Sequence, residues 1–482
     1  MKIDENSKNN MNKSPLPYQV LTCLGEYFLY STSLNQFFKI DYPTYVFFKL
    51  HLQYSFSETK RLLSEQKLFP ANIVDEVSND VSEIINKGIL RIPKFSISDS
   101  EFKRQLDHRY TVPWNKLELA LTEKCNLACL YCYCSTCRDI PEKGTMSTEV
   151  ARKAISWLFS VCGNSETVSI TFFGGEPLLN KEVLFFAVNY SQELAKRYSK
   201  KIFYSMTTNG TLLDNDIISI IKRYNFGLMV SLDGPADIHN RQCPTSTGQG
   251  SYDLATTGIK KLMARRRAVT VRCTMTHPIP RMLDLISFFE NFGFTRIVLG
   301  RTVNPVNASP VDFTEEDFIE ALRQEREEII PWILDKLAKG QKPKYFPYAK
   351  FLADQEKGGS SITCSPFRCG ACRGTTTVSG DGTLYPCHRF VGMQAWKLGN
   401  IQNGPNIDRC KKFWSDYRKA IMGKCDSCWM WNLCHGPCPW EIAQADGTFN
   451  LSLDKCKRQG EFFANAAYVY DKSIQFKNQR KQ

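Results

Sequence analysis

Two groups of regularly spaced cysteines constrain this chain of 482 residues more than any other feature. The first, Cys125-x3-Cys129-x2-Cys132, lies about a quarter of the way along. The second closes the chain, with Cys425-x2-Cys428-x5-Cys434-x3-Cys438 at its centre and Cys364, Cys369, Cys372, Cys387 and Cys456 around it. Thiolates at such spacings bring soft sulfur donors to one metal centre, either an iron–sulfur cluster or zinc. The first trio offers three ligands where a closed cluster takes four. A cluster one ligand short leaves an iron open, which reads as a reaction centre.

Composition supports metal over disulfides. Residues Met1 to Pro15 are rich in Lys, Asn and Ser and lack the order of a signal peptide, and no long uncharged apolar run offers a membrane span. The expectation is a cytosolic protein without a membrane partner. Disulfides are rare there, so a count of 19 cysteines points to metal or catalysis. The formal charge of +13 sits partly in Arg265–Arg267 and in the tail Lys472–Gln482, both expected as solvated surface, and cluster-bound thiolates would lower it. No basic stretch is interleaved with aromatics, so nucleic acid is not the expected partner. An acidic or flexible peptide is compatible with that charge.

Four regions follow from periodicity. Residues 17–95 suggest a hairpin, Tyr27–Tyr30 with Phe37–Ile40, then helices over Tyr45–Gln53, Ser57–Gln66 and Pro70–Lys87, with a strand at Ile89–Ile92. This order predicts a winged-helix-like module, and Ser96–Arg109 reads as a polar linker. Residues 114–310 alternate strand and helix six times, with strands at 116–122, 168–173, 202–208, 227–232, 269–275 and 296–299. Such alternation predicts an α/β fold, a parallel sheet curved into a partial (β/α)6 barrel with ligands at the carboxyl ends of its strands. Residues 311–358 form a helical bridge, with one charged helix over Thr314–Gly340. Residues 359–470, rich in Cys, Gly and Pro, make a cysteine-rich C-terminal domain shaped more by metal than by an apolar core.

The barrel rim carries the chemistry. The cysteine trio follows the first strand, and Gly174-Gly175-Glu176-Pro177 follows the second. Those glycines let backbone amides approach a ligand, and the carboxylate suits an ammonium group. Thr207-Thr208-Asn209-Gly210 follows the third strand and Ser231-Leu232-Asp233-Gly234 the fourth. Each motif alone is also an ordinary turn, but four in register at one rim exceed what turns require.

These residues resemble those of radical S-adenosylmethionine (SAM) enzymes. In that superfamily the cysteine trio holds a [4Fe-4S] cluster whose open iron takes the amino and carboxylate groups of SAM. The resemblance gives Glu176 of the Gly174–Pro177 motif the SAM amino group and places Tyr131 near the adenine. Asn209, Ser231 and Asp233 then match positions facing the ribose and methionine parts, and Arg272 a partner of the SAM carboxylate. It implies reductive cleavage of SAM to a 5′-deoxyadenosyl radical, with a flavodoxin or ferredoxin as electron donor.

The C-terminal cysteines are similar to the SPASM domain, which binds two auxiliary [4Fe-4S] clusters, making three in all. By position, Cys425, Cys428, Cys434 and Cys456 would hold one. Cys387, Cys438 and two of Cys364, Cys369 and Cys372 would hold the other, with structural zinc as the alternative. His388 and His435 neighbour these cysteines, and His388 is the candidate catalytic base. Trp429, Trp431 and Trp440 are expected to pack around the clusters, and His239 and His277 to act in turns or caps.

SPASM-bearing radical enzymes act mostly on peptides and proteins. The N-terminal module resembles a leader-peptide recognition element, whose strand edge accepts a peptide. The stretches Cys369-Gly-Ala-Cys372-Arg and Tyr385–Gly392 resemble thioether-forming maturases, of the sactipeptide, ranthipeptide or quinohemoprotein amine dehydrogenase type. The resulting expectation is a peptide or protein maturase forming a cysteine thioether. Alternatives are a carbon–carbon crosslinking or formylglycine-forming enzyme and, in another class, a non-catalytic electron carrier. About a hundred residues before the first cysteines, and His388 where sulfatase-maturing enzymes carry an Asp, count against formylglycine.

Overall fold

The computed structural model describes residues 17–90, 98–133, 144–265, 268–302, 309–357, 367, 369–425, 428–452 and 454–480. Six parallel strands form the expected curved sheet in sequence order: β4 (Lys116–Thr122), β5 (Thr167–Gly174), β6 (Lys201–Thr208), β7 (Gly227–Ser231), β8 (Thr270–Met275) and β9 (Arg296–Arg301). Helices 148–161, 181–197, 215–223, 252–263 and 282–292 return the chain between them. Their ends carry local signals. Ser147 and Asp214 accept the amides of Val150 and Ile217 at N-termini, and Gly293 ends its helix at φ 104°.

The sheet does not end at the barrel. Four short strands, β10 (Thr377–Val378), β11 (Thr383–Tyr385), β12 (Gly399–Asn400) and β13 (Gly404–Pro405), extend it from the edge of β4 into one ten-stranded sheet. β10 lies parallel to β4, pairing Thr377 with Glu118. The C-terminal domain therefore covers the unpaired edge that an open barrel would expose.

That domain also has an apolar core, contrary to expectation. Helix Ile407–Ile421 buries Phe413, Trp414 and Tyr417 against Phe390, Trp396 and Phe449, and this cluster continues into the barrel core. A second long helix, Asp454–Gln479, reaches into the tail read as solvated surface. It packs on the N-terminal sheet, where Lys472 meets Glu26 at 2.6 Å. Aromatic side chains drive the folding of this region alongside any metal.

The N-terminal module is a three-stranded meander, β1 (Tyr18–Cys23), β2 (Glu26–Ser31) and β3 (Gln36–Ile40), followed by helices 42–51, 56–65 and 71–86. Sequence periodicity missed β1, whose run Tyr18–Cys23 is apolar on both faces. Ile89 and Leu90 do not form the start of a strand, and 91–92 lie outside the described residues. The linker over Ser96–Arg109 is instead a helix, Asp99–Thr111, capped by Ser98. Its apolar stripe is only Phe102 and Leu106, too narrow for a periodicity argument, yet both are buried. The Thr314–Gly340 helix contains a π-helical turn, Glu325–Ile329, between α-helical segments 315–324 and 330–338. Among the described residues no helix is long and apolar enough to cross a membrane.

Candidate active site

The carboxyl ends of the barrel strands converge on the loop after β4. Cys125, Cys129 and Cys132, each partly exposed, border one cavity of about 180 Å3 with Tyr131, Gly174, Gly175, Asn209 and Ser231. The loop is fastened from beneath: Ala128 and Leu130 donate to the carbonyls of Pro244 and Gln242, and Ser246 donates to that of Asn126. The glycines of the second rim motif act on this loop as much as on any ligand. The amide of Gly175 donates to Thr122 O at 2.8 Å, and that of Glu176 to Lys124 O at 2.9 Å. A Cβ at Gly174 would stand 2.2 Å from Thr122 O, and one at Gly175 would stand 2.3 Å from Lys124 O. Only glycine permits this contact.

Behind the cavity lie two buried carboxyls. Glu176 accepts from Thr208 Oγ1 at 2.8 Å, Leu178 N at 3.1 Å and Asn209 N at 2.7 Å. Burial pushes it up to about 7 against these donors. Asn209 passes the constraint to the cysteine loop, since its amide donates to Asn126 Oδ1 at 2.9 Å and lies 3.8 Å from Cys125 Sγ. Asp233 accepts from Tyr131 OH at 2.8 Å and from Thr274 N at 2.8 Å, and burial raises its carboxyl. Pro177, next to Glu176 in the chain, starts a short helical turn and is buried.

Two further side chains complete this network, and the first of them escaped the sequence reading. Cys243 donates to Asp233 Oδ2 at 3.2 Å, meets Tyr131 OH at 3.2 Å and lies beside Cys129. It stands alone in sequence, so no spacing marked it. His239 accepts from Asp233 N at 3.1 Å through Nδ1 and meets Ser251 Oγ at 3.1 Å through Nε2. Burial lowers it to about 4, so it remains neutral. Its role as a turn residue is borne out in geometry. His277, the other, pairs with Asp317 at 2.8 Å.

The C-terminal cysteines gather around a second cavity, of about 110 Å3, bordered by Cys425, Cys428, Cys434, Cys438 and Cys456. Trp431 lines it, Trp429 packs edge-on to Tyr30 of β2, and Trp440 packs on Tyr133. Cys387 lies near Cys438 and Cys369. Cys372 is wholly buried beside Cys410, a second cysteine outside the spacing pattern, whereas Cys369 is exposed. Cys364 lies outside the described residues. Arg109, from the unforeseen helix, donates to the carbonyls of Cys369 and Ala371 at 3.2 Å each and so holds this loop. Burial raises the thiols of Cys125 to about 12 and Cys428 to about 11. Thiols of this kind deprotonate when a metal cation binds them, and the all-sulfur donor sets fit iron–sulfur clusters.

A larger cavity, of about 400 Å3, lies between these two. It shares Glu441 and Gln459 with the C-terminal cysteine cavity. Towards the first cysteines it is bounded by Arg389, whose guanidinium lies 5.6 Å from the ring of Tyr133. Arg272 lines this middle cavity rather than the first, packed on Gly300, where a Cβ would come within 2.7 Å of its guanidinium. His388 stacks on Phe173 at 4.1 Å and pairs through Nδ1 with the buried Glu118 at 3.1 Å. His435 takes a left-handed conformation, φ 56°, ending helix Trp431–Cys434.

Residues 119–285 match the radical SAM superfamily. The barrel is a radical SAM domain, and the chain is a radical SAM enzyme. A cysteine-type anaerobic sulfatase-maturating enzyme of Clostridium perfringens is 25% identical over 361 residues, covering 71% of this chain and 93% of that one. The solved structure of native anSMEcpe with bound AdoMet and Cp18Cys peptide shares the fold, with a TM-score of 0.61, 21% identity, and coverage of 75% of this chain and 99% of that one. Streptococcus suis SuiB bound to precursor peptide SuiA reaches a TM-score of 0.51 at 14% identity, covering 91% of this chain and 99% of SuiB. The radical SAM domain implies SAM and one [4Fe-4S] cluster as cofactors. The trio of thiols on one cavity fits that cluster.

Proposed function

We propose that this radical SAM enzyme is a maturase of a peptide or protein substrate that closes a cysteine thioether. The observation that carries this reading is the middle cavity, set between the cysteine-loop cavity and the C-terminal cysteine cavity. A substrate seated there meets hydrogen abstraction on one side and a cluster able to take an electron or a thiol on the other. The peptides bound to anSMEcpe and SuiB support a peptide as that substrate.

In this reading Cys125, Cys129 and Cys132 hold the SAM-binding cluster, Gly174 to Pro177, Asn209, Ser231, Asp233 and Tyr131 surround SAM, and Arg272 reaches the SAM carboxylate from the wall of the middle cavity. When bound, these cofactors supply a 5′-deoxyadenosyl radical for hydrogen abstraction. The chain's own part is positioning. Glu176 and Asn209 fix the rim beside Cys125, and Asp233 orients Tyr131 through its hydroxyl. Cys425, Cys428, Cys434 and Cys456 hold one auxiliary cluster. Cys387 and Cys438, with two of Cys364, Cys369 and Cys372, hold a second. His388, steadied by Glu118, is the base that takes the substrate thiol proton. The N-terminal meander receives a leader segment along a strand edge. A flavodoxin or ferredoxin supplies the electron, and the protein works in the cytosol.

A second reading, formylglycine formation, is favoured by the sulfatase-maturating relative. One experiment separates these readings. The anaerobically reconstituted protein is incubated with SAM, a reductant and short cysteine-containing peptides. The thioether reading expects 5′-deoxyadenosine together with a product that has lost two hydrogens and whose cysteine no longer alkylates. Loss of sulfur from the peptide selects formylglycine instead. SAM cleavage that survives in Cys129→Ala overturns the cluster assignment and the enzyme mechanism with it. Iron near ~12 atoms per chain supports three clusters, while ~4 supports the SAM cluster alone.

A further inference from the structure

Three arginines face the middle cavity, and the nearby carboxylates, Glu325 for Arg301 and Asp233 for Arg272, act on them without a direct ion pair. Arg272, Arg301 and Arg389 line it, and none of them makes an ion pair among the described residues. Their guanidiniums rest on carbon instead. Arg301 lies 5.2 Å from the ring of Phe318, and Arg389 lies 4.7 Å from that of Trp440. Arg272 packs on Gly300, and its burial, with Arg389 nearby, lowers its basicity. A fourth, Arg458, stacks on Phe318 at 3.7 Å but is paired with Glu315 at 2.8 Å.

Two acidic groups line the wall, Glu325 and Glu441, against four arginines, so they do not balance its charge. Glu325 is 4% exposed, turned inward by the π-helical segment that begins with it, and its one recorded donor is Asn465 at 3.4 Å. Burial raises its carboxyl, while Arg301, Asn465 and Arg326 beside it act in the opposite direction. Guanidiniums held on aromatic and backbone surfaces are pre-organised, and their planar forks match a carboxylate through two parallel hydrogen bonds. In a cleft with low-dielectric walls, such a cluster concentrates anions.

Resting on the peptide-maturase reading, we propose that the middle cavity selects a peptide residue bearing a carboxylate, an aspartate or glutamate near the position to be modified, clasped by Arg301 and Arg389. The acceptor chemistry is a carboxylate, and it has two sources here, the peptide and SAM itself. Arg301 sits at the end of β9, two strands from Ser231 on β7, and is the arginine on which the two sources are told apart.

The test uses the reconstituted holoenzyme and fluorescein-labelled Gly/Ala/Ser peptides with one central cysteine, flanked by Asp in one probe and by Asn in the other. Binding is read by anisotropy in the presence of SAM, and SAM affinity is measured separately. The Asp probe is expected to bind roughly tenfold or more tightly than the Asn probe, the gain of one charge-assisted pair. Arg301→Gln, compared at equal iron content, is expected to bring the two probes within about twofold, while Arg301→Lys keeps part of the preference. Equal binding of both probes to the unaltered enzyme overturns the proposal and leaves the maturase reading intact. A preference that survives Arg301→Gln and Arg389→Gln together also overturns it, as does Arg301→Gln weakening SAM binding alone. Binding of neither probe, with SAM still cleaved, overturns the proposal and the peptide reading together.

Discussion

At the residue scale, the site depends on polar groups buried behind the cysteine loop. Asp233 and His239 stand behind the cysteine loop and fix Tyr131 and the turn after β7. His239 also gives a pH signature. Its folded form is held near 4, below the ordinary 6.5, because burial disfavours the imidazolium. The unfolded chain therefore gains a proton that the folded chain refuses. This contribution to stability is complete above about 6.5 and is lost as the pH falls towards 4, up to about 3 kcal/mol. His239→Asn keeps an acceptor near the Nδ1 position without the titration. Its thermal midpoint is expected to fall less than that of the unaltered protein between pH 7 and 5. Parallel curves for the two proteins would remove His239 from the acid response. The rim residues Asn209, Ser231 and Asp233 were legible because each follows a strand at a matching offset. Cys243 was not, because its contact with Tyr131 and Asp233 joins three separate loops.

At the scale of elements, the meeting of β5 with the loop after β4 positions the cysteines. Gly174 and Gly175 are needed there for backbone contact with Thr122 and Lys124. In Gly175→Ala the new Cβ forces Lys124 away, and Cys125 follows it. Overpacking of this kind costs about 1–3 kcal/mol. Less iron is expected in the reconstituted variant, and SAM cleavage falls with it. A variant with full iron, full cleavage and an unchanged thermal midpoint would show that the contact does not hold the loop. The six barrel strands agree with the sequence reading to within two residues at each end, since each is a short apolar run between helical repeats. Helix Asp99–Thr111 was illegible for the opposite reason. Most of its surface is charged, and its purpose is tertiary: Arg109 holds the Cys369–Cys372 loop, and Arg418 of helix Ile407–Ile421 stacks on Phe102 at 4.8 Å.

At the scale of the whole molecule, the three described regions share one framework. Asn432, within the last cysteine group, donates to Thr32 O beside β2 at 2.8 Å, and Trp429 packs on Tyr30. Helix Asp454–Gln479 starts beside Cys456, pairs Glu461 with Arg326 of the π-helical turn, and carries Asn465 to Cys23 of β1. Loss of the proposed auxiliary cluster should therefore reach the N-terminal sheet. After iron chelation, hydrogen exchange is expected to rise in 425–456 and in β2, while β5 to β7 keep their protection. Faster exchange in 425–456 with β2 unaffected would refute this coupling.

The sequence by itself determined the chemistry of this protein: soft donors at cluster spacing, strands that end in short polar motifs, and alternation that yields a parallel barrel. These are local properties, written in residues a few positions apart. Only the tertiary structure decided how the parts share space. It joined the C-terminal strands to β4, turned Glu325 and three arginines onto one cavity, and brought Cys243, Cys410 and Arg109 to cysteines far away in the chain. Such contacts form between segments of large separation, where packing and charge, not local propensity, set the partner.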